Sequence, residues 1–472
     1  YVGKYKNLLV NVGIFGLSAV ATKLMAFILM PLYTLYLSTE EYGIMDMATI
    51  MVTTLFPVLT LLISEGMLRF TLDDKSKAAF YITETMLVML ASCVLLAILL
   101  PVFDLPIFGG LGRYKIWFLL SYAALCFPSV MGTVARAMDQ MKLIAYASIL
   151  SALIMGVLAY ALIAGMNLGL MGYFYSYIVG NGSAILVYLF AGKQYQFIDF
   201  TVWRNNASLR KQLWRYSLPL APNSLCNQIQ TTVSRFIITG VLGISASGLY
   251  AAASKIPNLL NVLQQIVQQA WQLSAFQEFK SSGLKHFYDV IWRVYHALMS
   301  IGSALVIALS PFIAKVLMQR QFYSVWPLIS ILVLAFYLGA INNFLGTIYQ
   351  AYMRTKPLLI ATIVGTVSCL AFTAMFVHSW GILAAALGVL VGSLTIFVIR
   401  VIDIRRLMRV DMRPFPTAIT MGLLAAQSVV TLIQCDHYLS LSLICLLSIA
   451  GAQCYELKPL INLMFGRRKY TA

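Results

Sequence analysis

The stretch from Leu8 to Leu37, LLVNVGIFGLSAVATKLMAFILMPLYTLYL, carries a single charged side chain, Lys23, in thirty residues. A membrane-crossing helix needs ~20 mostly apolar residues, so this run reads as a span. It is too long for a signal-peptide core and no cleavage site follows it, so it is expected to be retained. The chain opens at Tyr1 rather than Met, so at least one residue is expected ahead of it.

The rest of the chain has the same character. Of 472 residues, 61% are hydrophobic and 10% charged, against about 25% charged in a soluble domain. A solvated surface cannot be built from that composition. Thirteen further apolar runs follow, roughly Tyr42 to Ile63, Phe80 to Phe103, Ile116 to Val134, Leu143 to Ala164, Leu170 to Ala191, Leu218 to Leu242, Leu249 to Leu273, Trp292 to Leu317, Trp326 to Gln350, Leu358 to Val377, Ile382 to Val401, Phe415 to Gln434 and Leu439 to Leu457. Lipid offers backbone groups no partner, so spans are helices or closed barrels. Continuous apolar runs exclude the alternating barrel pattern. The fold class expected is an all-α polytopic membrane protein with about fourteen transmembrane helices.

The net charge of +17 does not indicate nucleic acid, because the basic residues sit in short clusters between apolar runs rather than on one domain face. With the N-terminus in the cytoplasm, 26 of the 33 Lys and Arg residues fall on the inner side, four on the outer side, and three, Lys23, Arg235 and Lys255, within spans. Cytoplasmic loops carry this excess. Both termini are therefore expected in the cytoplasm of a plasma membrane. All outer loops are short, which leaves no external domain to carry catalysis.

The longest polar stretch, Gly192 to Arg215, is rich in Arg, Lys and Asn and edged by Trp203 and Trp214. It reads as a cytoplasmic linker at the membrane interface. It divides a first lobe, 1–191, from a second, 216–413; an additional helix pair and basic tail occupy 414–472. A weak internal repeat agrees with the division. Leu37, Gly43 and Ala48 match Leu242, Gly248 and Ala253 in spacing, each at the outer turn between the first and second span of its half. Repeated halves are typical of secondary transporters, with the substrate between them.

Lys23 lies ~20 Å from either end of its span at 1.5 Å per residue, beyond the reach of snorkelling. A charge at that depth costs roughly 2.5–3.5 kcal/mol even on mild scales, which calls for a wet cavity or a buried partner. Arg235 and Lys255 lie nearer an outer end and have snorkelling as a competing reading. Asp46 is placed similarly and is a candidate counter-ion, or a site for H+ or Na+ coupling, because a desolvated carboxylate can titrate. On the eighth span Ser254, Asn258, Asn261, Gln265, Gln268 and Gln272 follow one another at helical spacing; Asn223, Asn227, Gln230 and Ser234 do so on the seventh. Such a face cannot look into lipid. It lines a cavity or meets another polar helix face. Prolines and glycines, among them Pro219, Pro222 and Pro257, punctuate these spans.

No phosphate-binding G-x-x-x-x-G-K-[ST] loop and no H-E-x-x-H motif occurs, so neither ATP-driven transport within the chain nor zinc hydrolysis is expected. The four histidines are scattered, and the seven cysteines form no CxxC pair. No cofactor, metal, nucleic acid or enzymatic activity is expected.

The segments LYLSTEEYGIMDMA (Leu35 to Ala48) and GLYAAASKIPNLLN (Gly248 to Asn261), with the opening KNLLVNVGIFGLSAVATKLMAFILMPLYTLYLS, resemble bacterial polysaccharide-biosynthesis flippases. These belong to the multidrug/oligosaccharidyl-lipid/polysaccharide exporter superfamily. The resemblance implies a V-shaped transporter of two six-helix lobes that moves an undecaprenyl-pyrophosphate-linked oligosaccharide from the inner to the outer leaflet by alternating access. It implies cationic cavity residues, for which Lys23, Arg235 and Lys255 are candidates. It also implies that the extra pair, Phe415 to Leu457, shelters a lipid tail. Membrane lipids, and a polymerase or glycosyltransferases of the same pathway, are the partners expected.

The chemistry agrees independently. A pyrophosphate is drawn to a cationic low-dielectric cavity, and sugar hydroxyls suit an Asn/Gln-lined wall. A drug/cation antiporter of the same superfamily is the first alternative; acidic and aromatic lining would favour it. A membrane polysaccharide polymerase is the second, and it would carry a large outer loop. A scaffold without transport needs neither Lys23 nor the amide stripes.

Overall fold

The computed structural model describes residues 25–204, 206–218, 220–258, 260, 261, 264, 284–351, 355–407 and 413–466. Among them the chain is helical, with short 3-10 and π turns and no strand. Eleven helical stretches are long and apolar enough to cross a membrane. They coincide with the second to sixth and the ninth to fourteenth runs read from the sequence. The first and eighth runs fall partly outside the described residues, as do side chains 222–231 of the seventh. The chain is a multi-pass membrane protein, and by contact density it separates into two units, Tyr1–Gly248 and Leu249–Ala472.

In the first unit a short helix, α1 (Met25–Tyr36), leads into α2 (Thr39–Leu59). Ser38 caps α2. Its side chain accepts from the Glu41 amide, and the Glu41 carboxylate accepts from the Ser38 amide in return. This reciprocal cap satisfies two amides that helix geometry leaves unpaired. The other Glu41 oxygen accepts from the amide of Leu170 at 3.2 Å.

The second apolar run extends to Ile63, but its helix stops at Leu59. Pro57 lies in its last turn, and Leu61 and Leu62 adopt left-handed φ angles of 49° and 50°. The chain restarts as α3 (Ile63–Asp73). Leucine is a good helix former, so tertiary packing imposes this break. Gly66 of α3 lies against the linker so closely that a Cβ there would stand 2.3 Å from Ser217 Oγ.

The unit continues with α4 (Ala78–Leu99), α5 (Lys115–Ala137), α6 (Met141–Ala159) and α7 (Gly169–Leu186). The linker follows as two short helices, α8 (Phe200–Arg204) and α9 (Ala207–Ser217). Next come α10 (Leu220–Leu242) and α11 (Ile244–Lys255), which crosses into the second unit. Helix α11 ends at Lys255, two residues before Pro257. Proline disfavours helical geometry in the residue before it.

The second unit contains α12 (Leu284–Leu317), α13 (Leu328–Ala351), α14 (Thr355–Trp380), α15 (Ile382–Leu407), α16 (Pro414–Ile433) and α17 (Tyr438–Gly466). Helices α14 and α15 approach through Gly365, Gly388 and Gly392. Small residues allow this where lipid supplies no hydrophobic drive between helices. The additional pair, α16 and α17, is fastened to α12 and α13 by buried amides and hydroxyls. Gln427 Nε2 donates to Ala304 O at 3.0 Å and to Ser442 Oγ at 3.0 Å. Ser330 and Ser428 each donate from the hydroxyl to the other's carbonyl, at 3.1 and 3.2 Å.

Candidate functional site

Helix α2 directs Thr39, Gly43, Asp46 and Thr54 toward α10 and the start of α11. Asp46 is 3% exposed and Arg235 of α10 is 7% exposed; Arg235 Nε stands 2.9 Å from Asp46 Oδ2. Two charges this deeply placed are tolerable only together. Removing both from water costs several kcal/mol each, and their attraction in low dielectric compensates only at close range. Eight residues along α2, Thr54 Oγ1 meets Thr232 Oγ1 at 2.9 Å.

At the other end of this seam the backbones touch. A Cβ on Gly43 would stand 2.3 Å from Ile244 O, and one on Gly248 would stand 2.2 Å from Thr39 O. The loop after α4 folds over the same point. Gly109, at φ +61°, abuts Ile244, and Phe108 meets Phe236 edge to face at 5.4 Å. Spans two and seven and the start of span eight are thus zipped by an ion pair, a hydroxyl pair and two glycine contacts. Beside the zipper, Tyr173 Oη meets Thr49 Oγ1 at 3.1 Å, and its ring packs on Tyr33 and Tyr177.

Of the cavity residues expected from sequence, Arg235 is paired with Asp46, so the candidate phosphate ligand and the candidate coupling carboxylate form one element. Lys255 is half-buried at the end of α11. Asn258 is exposed and donates to Ser254 O at 3.2 Å, and Asn261 donates to Asn258 Oδ1 at 2.7 Å. Three members of the eighth-span stripe are therefore linked in a hydrogen-bonded row. Lys23, Gln265 and Gln268 lie outside the described residues, as do the side chains of Asn223, Asn227 and Gln230.

Two buried charges were missed from sequence. Glu84 of α4, 4% exposed, was passed over as part of an apolar run, although it is the one charge between Phe80 and Phe103. It gathers the linker, accepting from the Trp203 indole, from Trp214 Nε1 at 2.8 Å and from Arg210 Nε at 3.1 Å. The Arg210 guanidinium also lies over the Trp203 ring at 4.6 Å. The edge tryptophans of the linker were the available signal. Arg400, counted with the inner-loop cations, sits instead within α15 at 6% exposure and donates to Asn342 O and to Thr362 Oγ1. Buried carboxylates therefore include Glu84 as well as Asp46. Among the described residues no group of three His, Cys, Asp or Glu side chains is placed to hold a metal ion.

Several solved structures share this fold. A lipid II flippase, MurJ, in an inward closed conformation aligns with a TM-score of 0.69 at 13% identity, covering 94% of this chain and 99% of that one. An inward-facing multidrug resistance transporter of the MATE family, in the MOP superfamily, aligns at 0.67 and 15% identity, covering 86% and 96%. A Vibrio cholerae MATE transporter aligns at 0.60 and 14% identity, covering 86% and 98%. At these identities the likeness establishes a shared fold. By sequence, no curated protein matches. The model of a family described as polysaccharide biosynthesis protein matches residues 8–276, more than half of the chain, and the chain belongs to that family.

Proposed function

We propose that the protein is a flippase that carries an undecaprenyl-pyrophosphate-linked oligosaccharide from the inner to the outer leaflet by alternating access. The observation that carries this reading is the buried Asp46–Arg235 pair at the tight end of the zipper. The basic-residue asymmetry assigns that end to the outer side. In the closed arrangement Asp46 occupies the arginine. To open outward, spans two and seven must part, and a lone buried guanidinium is costly. A pyrophosphate is the partner that can replace Asp46, because it accepts charge-assisted hydrogen bonds from a guanidinium fork. Substrate binding and outer opening are then one event: the loaded protein opens and the empty one stays shut. Lys23 and Lys255 supply further positive charge, and the Ser254–Asn258–Asn261 row offers amides to sugar hydroxyls. Asp46, once released, is the candidate site for H+ or Na+. The family membership and the flippase fold support the substrate class, and we propose no catalytic chemistry.

The MATE-like fold supports a second reading, drug/cation antiport, in which Asp46 would be the essential group and Arg235 dispensable. Proteoliposomes loaded with polyprenyl-pyrophosphate oligosaccharide separate the two. Wild-type protein should move the lipid; Lys23→Ala and Arg235→Gln should abolish movement, and Lys23→Arg should keep much of it. Normal flipping by folded Lys23→Ala and Arg235→Gln proteins refutes the proposal.

A further inference from the structure

The second unit contains a charged cleft that the transport reading does not use. It lies where α12, α16 and α17 converge and is lined by Arg293, His296, Arg413, Thr417, Gln453 and Glu456. Its volume is about 260 Å³, counting the part open to the surroundings. Polar groups are rare at such a depth unless partnered, and most of these are. Arg413 is paired with Glu456, His296 Nε2 with Tyr337 Oη at 2.8 Å, and Gln453 donates to Thr420 Oγ1 at 3.0 Å.

Arg293 is different. Its Nε is buried without a hydrogen-bond partner, and no carboxylate lies within 4 Å of its guanidinium among the described residues. With Glu456 already answered by Arg413, Arg293 is the cleft cation left without an ion pair among the described residues. Helix α16 also begins here, at Pro414. Pro414 and Pro416 leave its first turn few free amides, so its dipole contributes positive charge and the hydrogen bonds to an anion come from Arg293. A buried unpaired guanidinium donor at the positive end of a helix dipole defines an anion site. The flanks define what bears the anion. Phe415 is 75% exposed, Ile419 44% and Tyr455 78%, all on α16 and α17 beside the cleft. In a membrane-spanning pair these side chains face acyl chains. Arg413 caps the start of α16 and Lys458 lies in the last third of α17, on the side that the basic-residue asymmetry assigns to the inner leaflet.

We propose that this cleft binds the phosphate of an anionic lipid of the inner leaflet, with Arg293 as its principal ligand. The enclosed part of the cleft is about the size of a water, so the phosphate sits at its mouth with an oxygen directed at Arg293, and a sugar chain does not enter. The phosphate can come from a resident phospholipid or from a polyprenyl phosphate, and the test distinguishes them. This site shares no residue with the Asp46–Arg235 element, so either can fail without the other.

The full-length protein in detergent is titrated with phosphatidylglycerol, with undecaprenyl phosphate, with phosphatidylcholine and with inorganic phosphate, following melting temperature and bound lipid by native mass spectrometry. Saturable binding of the anionic lipids, weakened about tenfold in Arg293→Gln, largely recovered in Arg293→Lys and unchanged in Arg320→Gln, supports the site. Tighter binding of undecaprenyl phosphate names the carrier lipid as its occupant; tighter binding of phosphatidylglycerol names a resident phospholipid. Inorganic phosphate matching the lipids, phosphatidylcholine matching them, or Arg293→Gln binding like wild type overturns the proposal. Should Arg293→Gln not fold, Thr417→Leu narrows the cleft with every charge retained, and undiminished lipid binding by that variant overturns it as well.

Discussion

Gly43 and Gly248, which occupy equivalent places in the two copies of the L-x5-G-x4-A spacing, lie against each other: a Cβ on Gly248 would stand 2.8 Å from the amide nitrogen of Gly43 and 2.2 Å from Thr39 O. The repeat thus marks a point where two helices meet backbone to backbone, an approach only glycine permits. The obstructing atoms are main chain, so neither neighbour can turn aside. Gly248→Ala and Gly43→Ala should each wedge the seam open. A cysteine placed at Thr54, whose hydroxyl meets Thr232 across the same seam, should become at least ~10-fold more reactive to a water-soluble maleimide. Gly240→Ala, which adds a methyl where no atom lies within 4 Å, should leave labelling unchanged. Equal labelling in all three variants would contradict the zipper.

The Asp46–Arg235 pair should behave as a unit. Asp46→Asn or Arg235→Gln alone leaves a buried charge without its counterpart, at a cost of ~3–5 kcal/mol. The double variant Asp46→Asn/Arg235→Gln removes both charges and should melt closer to wild type than either single variant. The measurement is a double-mutant cycle by thermal melting in detergent. Strictly additive losses would mean that the two side chains do not interact.

Glu84 should govern the linker. Glu84→Ala takes the acceptor from two indole N–H groups and the counter-charge from Arg210, a loss of roughly 2–3 kcal/mol on the scale of charged hydrogen bonds. Limited trypsin digestion between Lys193 and Arg215 should accelerate several-fold, with Glu84→Gln intermediate. A digestion pattern indistinguishable from wild type would remove the anchoring role.

Gln427 should hold the additional helix pair in place. Its amide bridges α16 to both α12 and α17. Interhelical bonds in membranes average ~0.6 kcal/mol and reach ~1.7 kcal/mol, so Gln427→Leu should cost about 1–2 kcal/mol. Hydrogen exchange should rise in α16 and α17 while α14 and α15 keep their protection. Uniform exchange across the second unit would argue that the pair is not a separate layer.

The spans were legible because hydropathy over twenty residues reports on lipid exposure, which composition determines almost alone. Asp46 and Arg235 were each conspicuous as charges inside apolar runs, but their pairing was not, since 189 positions separate them and nothing local encodes which helices adjoin. Gly43 and Gly248 were readable as equivalent positions and not as mutual contacts, for the same reason. The end of α2 was misread: Leu61 and Leu62 favour helix by every local measure, and only Pro57 hinted that the run would break. Glu84 was passed over inside an apolar run, and Arg400 was counted with the inner-loop cations because it lies at a span end. Partners on the linker and on neighbouring helices held them inside instead.

The left-handed leucines after α2 carry an energetic corollary. Each holds its backbone ~1–2 kcal/mol above the right-handed helix, so the kink behaves as a wound spring between a segment zipped to α10 and a segment docked on α9. Were the two residues to relax, Thr39 to Asp73 would become one unbroken rod. The recoil, ~2–4 kcal/mol for the two residues, would return a good part of what is spent in parting Asp46 from Arg235.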